Sequence, residues 1–182
     1  MTVELQKLID HAREVAVREK CILYDLELVG AGQGRILRIY IDKEGVESVS
    51  IDDCSRVSRG LDLILDIEDL VPGGAYSLEV SSPGLDRQLK EKWHFEKVIG
   101  EKILVHLKES LGEFLNDVEP GQEKRKKISG LLRQVTDEAV VIQLIEKKDE
   151  IFAIPLDKLQ KAKLVFNEEK NFSKKKPKGR EG

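Results

Sequence analysis

The period of the apolar residues changes near position 88, and this limits the chain to a small set of folds. Before that point, segments of period 3.6 alternate with segments of period 2. After it, only period 2 persists. Leu5, Leu8, Ile9, Ala12, Val15 and Ala16 form one helical stripe over 3–19, with Thr2 placed to cap it and Glu4 suited to the positive end of its dipole. CILYDLELV then alternates, with Ile22, Tyr24, Leu26 and Leu28 on one side. GAGQG at 30–34 supplies a loop, and RILRIYID returns with Leu37, Ile39 and Ile41 inward. A second helix is predicted from Ser50, with Asp53 three residues on as a variant capping box. Its stripe is Ile51, Cys54, Val57, Leu61, Ile64 and Leu65, running to about Glu68. Pro72-Gly73-Gly74 breaks the chain before a third strand at Tyr76–Ser81. Helix, hairpin, helix and strand make an α+β sandwich over 1–88, with both helices on one face of the sheet.

Residues 89–99 read as a connector pinned by Trp93, Phe95 and Val98. From 100 to 166 the segments EKILVHLKE, KISGLLRQVT, AVVIQLIEK, EIFAIPL and AKLVF read as five short strands. Pro155-Leu-Asp-Lys-Leu supplies one helical turn before the last of them. Closely spaced strands with no long helix between them predict a small SH3/Sm-like barrel. The polar stretch 116–127 is a loop of that barrel, and 167–182 is a basic, mobile tail low in apolar residues.

Charge follows the same division. The net charge of −3 averages two unlike halves: 1–88 hold ten basic and seventeen acidic residues, and 89–182 hold twenty-one basic and seventeen acidic. Opposite signs point to different partners, a basic protein for the first half and RNA for the second. No apolar run is long enough to cross a membrane, and the N-terminus lacks a signal-peptide core, so a cytoplasmic, non-membrane protein is expected. Cys21 and Cys54 suit a reducing compartment. With His11, His94 and His106 they show no zinc-ligand spacing, so no metal or cofactor is expected.

The stretch EVSSPGLDR, 79–87, admits three readings. Pro83-Gly84 can simply turn the chain after a strand, with the Ser81 and Ser82 hydroxyls satisfying nearby backbone and Asp86 capping the next segment. The hydroxyls and Arg87 also suit phosphate oxygens. A catalytic serine would need a base within reach and an oxyanion site, and no nucleophile-elbow pattern surrounds it. GAGQG precedes a strand rather than a helix, which favours a hairpin loop over a phosphate cradle. Arg56 and Arg59 lie off the apolar stripe of their helix, Arg56 in pairing range of Asp52 or Asp53. The run Lys124-Arg125-Lys126-Lys127, with a second run in the tail, is either a solvated loop or an electrostatic footprint for RNA. Aromatics are too few, at 5%, to make base stacking the main mode.

SIDDCSRVSRGLDLILD, then YSLEVSSPGLDRQL closing an α+β half, then a small-barrel half, together resemble the bacterial ribosome maturation factor RimP family. The resemblance covers nearly the whole chain in order. It departs at Gln88, where the family usually carries Pro. It implies a non-enzymatic, monomeric assembly factor with an N-terminal α/β domain and a C-terminal SH3-like barrel. Such a factor binds the small (30S) ribosomal subunit, aids 16S rRNA maturation and associates with the twelfth small-subunit ribosomal protein. The expected ribosome or RNA contacts are Lys124, Arg125, Lys126, Lys127, Arg59, Ser81, Ser82 and Arg87. Two other functions stay open: a general RNA-binding regulator acting through the barrel, and an enzyme using the Ser-Ser-Pro-Gly turn on a phosphorylated substrate.

Overall fold

The computed structural model describes residues 3–30, 34–45, 47–71, 74–115, 118, 120–145 and 151–166. Thr2, the middle of GAGQG, Pro72-Gly73, part of the 116–127 stretch and the 167–182 tail lie outside the described residues. Two units divide the chain after Gly84.

In the first unit, α1 (Val3–Arg18) leads into β1 (Ile22–Val29), β2 (Ile36–Asp42), α2 (Ile51–Glu68) and β3 (Ser77–Ser81). β2 is central, antiparallel to β1 and parallel to β3. The parallel pair requires a crossover, and α2 supplies it. Leu37, Ile39 and Ile41 of β2 are fully buried in one core with Leu8, Ala12, Val15 and Ala16 of α1 and Val57, Leu61 and Leu65 of α2. Both helices therefore cover the same sheet face, as the alternation of β2 predicts. The opposite face is polar, with Arg38 of β2 bonded to Glu79 of β3 at 2.9 Å.

Two details of the apolar pattern differ from expectation. β1 does not present Ile22, Tyr24, Leu26 and Leu28 together, because its register shifts between Leu23 and Asp25. The bulge at Tyr24 resets the alternation, so Leu23 and Leu26 pack on the core, and Leu28 at the strand end stays 42% exposed. Ile51, expected on the α2 stripe, is 85% exposed: as the first helical residue it precedes the turn that meets the sheet.

α1 and α2 approach closely at Gly60. A Cβ there would lie 2.8 Å from Val15 Cγ1 and 2.6 Å from Arg18 Nη2. A mid-helix glycine costs about 1 kcal/mol against alanine, and close helix contact offsets that cost. α2 ends at Asp69, which takes the left-handed conformation and donates its amide to the Leu65 carbonyl. The helix stops before the Pro-Gly-Gly stretch is reached.

The second unit holds α3 (Lys92–Glu96), β4 (Lys102–Leu107), β5 (Lys127–Val135), β6 (Ala139–Leu144), β7 (Ile151–Pro155) and β8 (Leu159–Leu164). The strands pair antiparallel in the order β7-β6-β5-β4-β8. β7 and β8 are the two edges, yet only the 3-10 turn Leu156–Lys158 joins them. Five strands laid flat would set their edges roughly 19 Å apart. A three-residue 3-10 turn rises only about 6 Å. The sheet must therefore curl until its edges approach. Hydrogen bonds from the turn run to both sides, with the Leu156 amide donating to the Glu138 carbonyl on the β6 side and the Lys108 amide to the Lys158 carbonyl on the β4 side.

β5 is shared between the two sides of the sheet. Its first half pairs with β4 and its second with β6, and Gly130 pairs with both. A Cβ on Gly130 would lie 2.3 Å from the Gln143 carbonyl oxygen, so only glycine fits. Alternate residues of all five strands fill one core, among them Ile103, Val105, Ile128, Leu132, Ile142 and Ile154. The 89–99 stretch adds Leu89, Phe95 and Val98 to that core, and it contains the short helix α3.

Candidate nucleic-acid interface

The basic run is not a free loop. Lys127 opens β5, and the residues before it are bonded to the segment just after β4. The Leu107 amide donates to the Lys126 carbonyl at 2.8 Å, and the Leu111 amide to the Arg125 carbonyl at 3.0 Å. Lys124 lies in a turn and only Lys127 is in the strand, so the four cations do not line one surface. Arg125 and Lys127 line a shallow depression with Lys102, Leu104, Ser129, Leu144 and Ile145. Lys124 and Lys126 are exposed and do not line it.

Register extends this surface across the sheet. Residues paired across antiparallel strands share a face. Lys127 pairs with His106, and His106 with Lys161. Ser129 pairs with Leu104, and Leu104 with Lys163. Lys102 lies two residues before Leu104 on the same face. Lys102, Lys161 and Lys163 were not singled out in the sequence. Each is a lone lysine in an alternating strand, and only the register places them on the face that carries Lys127.

The turn after β3 behaves differently from its predicted role. Ser81 and Ser82 are exposed, and among the described residues neither hydroxyl is hydrogen-bonded to the protein. They do not satisfy backbone as expected, because the chain leaves β3 outward at Pro83-Gly84, with Gly84 at φ +77°. Asp86 does not cap the segment after it. It accepts the Phe166 amide at 3.1 Å and the Lys163 ammonium at 3.4 Å, fastening the end of β8. Those bonds, the Phe166 amide first, hold its carboxyl below the usual range. Arg87 is half-buried, and its carbonyl accepts the Leu164 amide at 2.9 Å.

Of the three histidines, two are hydrogen-bonded within their own unit. His11 Nε2 lies 3.2 Å from Glu68 Oε2, and the buried His94 accepts the amides of Lys90 and Glu91 at Nδ1. His106 is on β4.

Arg59 is exposed on α2 and donates to the Ser55 carbonyl of its own helix at 3.1 Å. Arg56 pairs with Asp53, one of the two expected acids, and also reaches Glu19 at 3.4 Å. Asp53 is 2% exposed and fully engaged. Its carboxylate accepts the Ser50 amide at 2.8 Å and Lys43 Nζ at 2.9 Å, while its own amide donates to Ser50 Oγ at 3.2 Å. The Ser50 bonds, then Lys43, hold the Asp53 carboxyl far below the usual carboxylate range. This is a complete capping box with two added cations. It locks the start of α2 and leaves no open position for a ligand.

Among the described residues no helix is long and apolar enough to cross a membrane, and no group of three His, Cys, Asp or Glu side chains is arranged to hold a metal. Residues 11–86 match the family model of the RimP N-terminal domain, a span that ends two residues past the division between the units.

Proposed function

We propose that this chain belongs to the RimP family and is a non-enzymatic, cytoplasmic assembly factor for the small ribosomal subunit. The match over residues 11–86 carries this reading. The factor binds the 30S subunit as a monomer and favours maturation of its 16S rRNA beside the twelfth small-subunit ribosomal protein. It works by binding alone. It shifts an RNA–protein neighbourhood toward its mature form only as far as it binds that form more tightly.

The second unit is read as an SH3-like barrel. The curled five-strand order and the 3-10 turn between its last two strands support this reading. The acidic first half suits a basic ribosomal protein, and the basic second half suits RNA. Arg59, Ser81 and Ser82 remain contacts of the first unit in this scheme, while Arg87 and the 124–127 run belong to the second.

Co-sedimentation with small subunits, large subunits and free total RNA, at low and moderate salt, tests the reading. Selective pelleting with small subunits that survives moderate salt is expected. Equal binding to all three, lost steeply as salt rises, would replace it with a general RNA binder. The basic face of the second unit favours that rival.

A further inference from the structure

We propose that the outer face of β4, β5 and β8 is a phosphate-reading surface for the backbone of folded RNA. Lys102, Lys127 and Lys161 are its principal cations, and Leu104 and Ser129 form its floor. This deepens the function proposed above and rests on its RNA-binding part.

Four observations carry the inference. First, the cations come from three strands of a single sheet, so their spacing is set by the ladder. Adjacent strands lie about 4.8 Å apart, and residues i and i+2 about 7 Å apart. Lys127 and Lys161 flank His106 two strands apart, about 10 Å, and Lys102 lies four positions from His106 along β4, about 13 Å; cations held at fixed separations suit a polyanion whose charges repeat regularly. Second, Lys102, Lys127 and Lys161 have no acidic partner within ion-pair distance among the described residues. Lys163, on the same face, is engaged by Asp86. Elsewhere in this unit Lys92 pairs with Glu96 and Asp137, and Lys158 with Glu109. Third, among the described residues the depression that Lys102, Arg125 and Lys127 line has no acidic residue in its wall, and Ser129 adds a hydroxyl donor. Fourth, the lining of the depression is apolar at Leu104 and Ile145, and Ile145 is 45% exposed, so a sugar or base edge has a surface to rest on once the phosphates are engaged. His106 sits between Lys127 and Lys161 and adds a ring nitrogen to the row.

Phosphate contacts of this kind position an RNA without reading its sequence. Lys124 and Lys126 belong to the basic run but lie off the depression. They therefore give an internal comparison between a built face and a mere excess of charge.

The test uses the full chain and a fluorescein-labelled RNA hairpin, with affinity read by fluorescence anisotropy across a salt series. The triple variant Lys102→Gln, Lys127→Gln, Lys161→Gln should lose roughly tenfold or more in affinity, and its log–log salt slope should fall by about 2 to 3. The pair Lys124→Gln, Lys126→Gln should lose clearly less. Replacing the same three lysines with arginine should keep binding, which separates lost charge from lost folding, and thermal melting checks that each variant folds. An unchanged slope in the folded triple variant overturns the proposal, as does an equal loss from the Lys124 and Lys126 pair. Polyglutamate binding that the triple variant loses while RNA binding persists would assign the face to an acidic protein instead. If RNA binding is unaffected in the triple variant while selective 30S pelleting is kept, this face alone is withdrawn. If the wild type fails to pellet selectively, the assembly-factor reading falls and the hairpin result still stands.

Discussion

At the scale of single residues, Asp53 does the most to set the start of an element. Its carboxylate receives the Ser50 amide, Lys43 and Arg56 while 2% exposed, so losing it strips several donors of one acceptor. Asp53→Asn should lower stability by about 1–2 kcal/mol at neutral pH, the upper part of the range for a lost N-cap interaction, measured by denaturant unfolding. The pH dependence has a definite sign. The folded carboxyl is depressed, so below the ordinary aspartate value near 4 the unfolded chain takes up a proton that the folded chain refuses. The contribution is whole above that value and is lost as pH falls through the folded one. The stability gap between wild type and Asp53→Asn should therefore narrow between about pH 5 and pH 2. A gap that stays constant would show that the carboxylate charge is not what stabilises α2. The capping position was legible in Ser50 and Asp53. Lys43 and Glu19 were not, since nothing local ties Lys43 to Asp53, ten positions away, or Glu19 to Arg56, thirty-seven positions away.

At the scale of elements, two glycines act through space rather than through turns. Gly60→Leu should cost about 1–3 kcal/mol, because its side chain must enter the contact between α1 and α2 where Val15 already lies. Gly130→Ala should be the more damaging relative to its size. The added carbon meets a carbonyl oxygen of β6 rather than a flexible side chain. Thermal melting ranks the two, and a Gly130→Ala variant as stable as wild type would mean that the close approach of β6 to Gly130 can relax at no cost. The two long helices and the strands were readable from apolar periodicity, and the 3-10 turn from Pro155 and its neighbours, while α3 was hidden in the stretch read as a connector. The bulge at Tyr24 was not: CILYDLELV alternates without fault, and the shift appears only when β1 must match β2.

At the scale of the whole molecule, each unit has its own core, and each is of a size that commonly folds alone. Residues 1–84 and 85–182, expressed separately, should each unfold cooperatively in calorimetry, and only the second should bind the RNA hairpin. RNA binding by residues 1–84 would overturn the division of partners by charge. Reversing acidic surface charges of the first unit, at Asp62 and Asp66 for instance, should weaken binding to a basic ribosomal protein more than binding to RNA. Equal loss of both would undo the same division.

The sequence by itself determined the order of elements, the change of character near residue 88, the sign of each half's charge and the motifs of the family. All of these are written in neighbours along the chain: periodicity, caps, turn residues and local charge. Only the tertiary structure decided which cations act together. Cross-strand register joins Lys102, Lys127 and Lys161 into one face and leaves Lys124 and Lys126 outside the depression, although the latter two are adjacent to Lys127 or nearly so. The physical reason is that alternate residues of paired strands share one face, so residues distant in sequence join a common surface, while Lys124 and Lys126 precede the strand. Proximity in sequence therefore misjudges a surface built across strands.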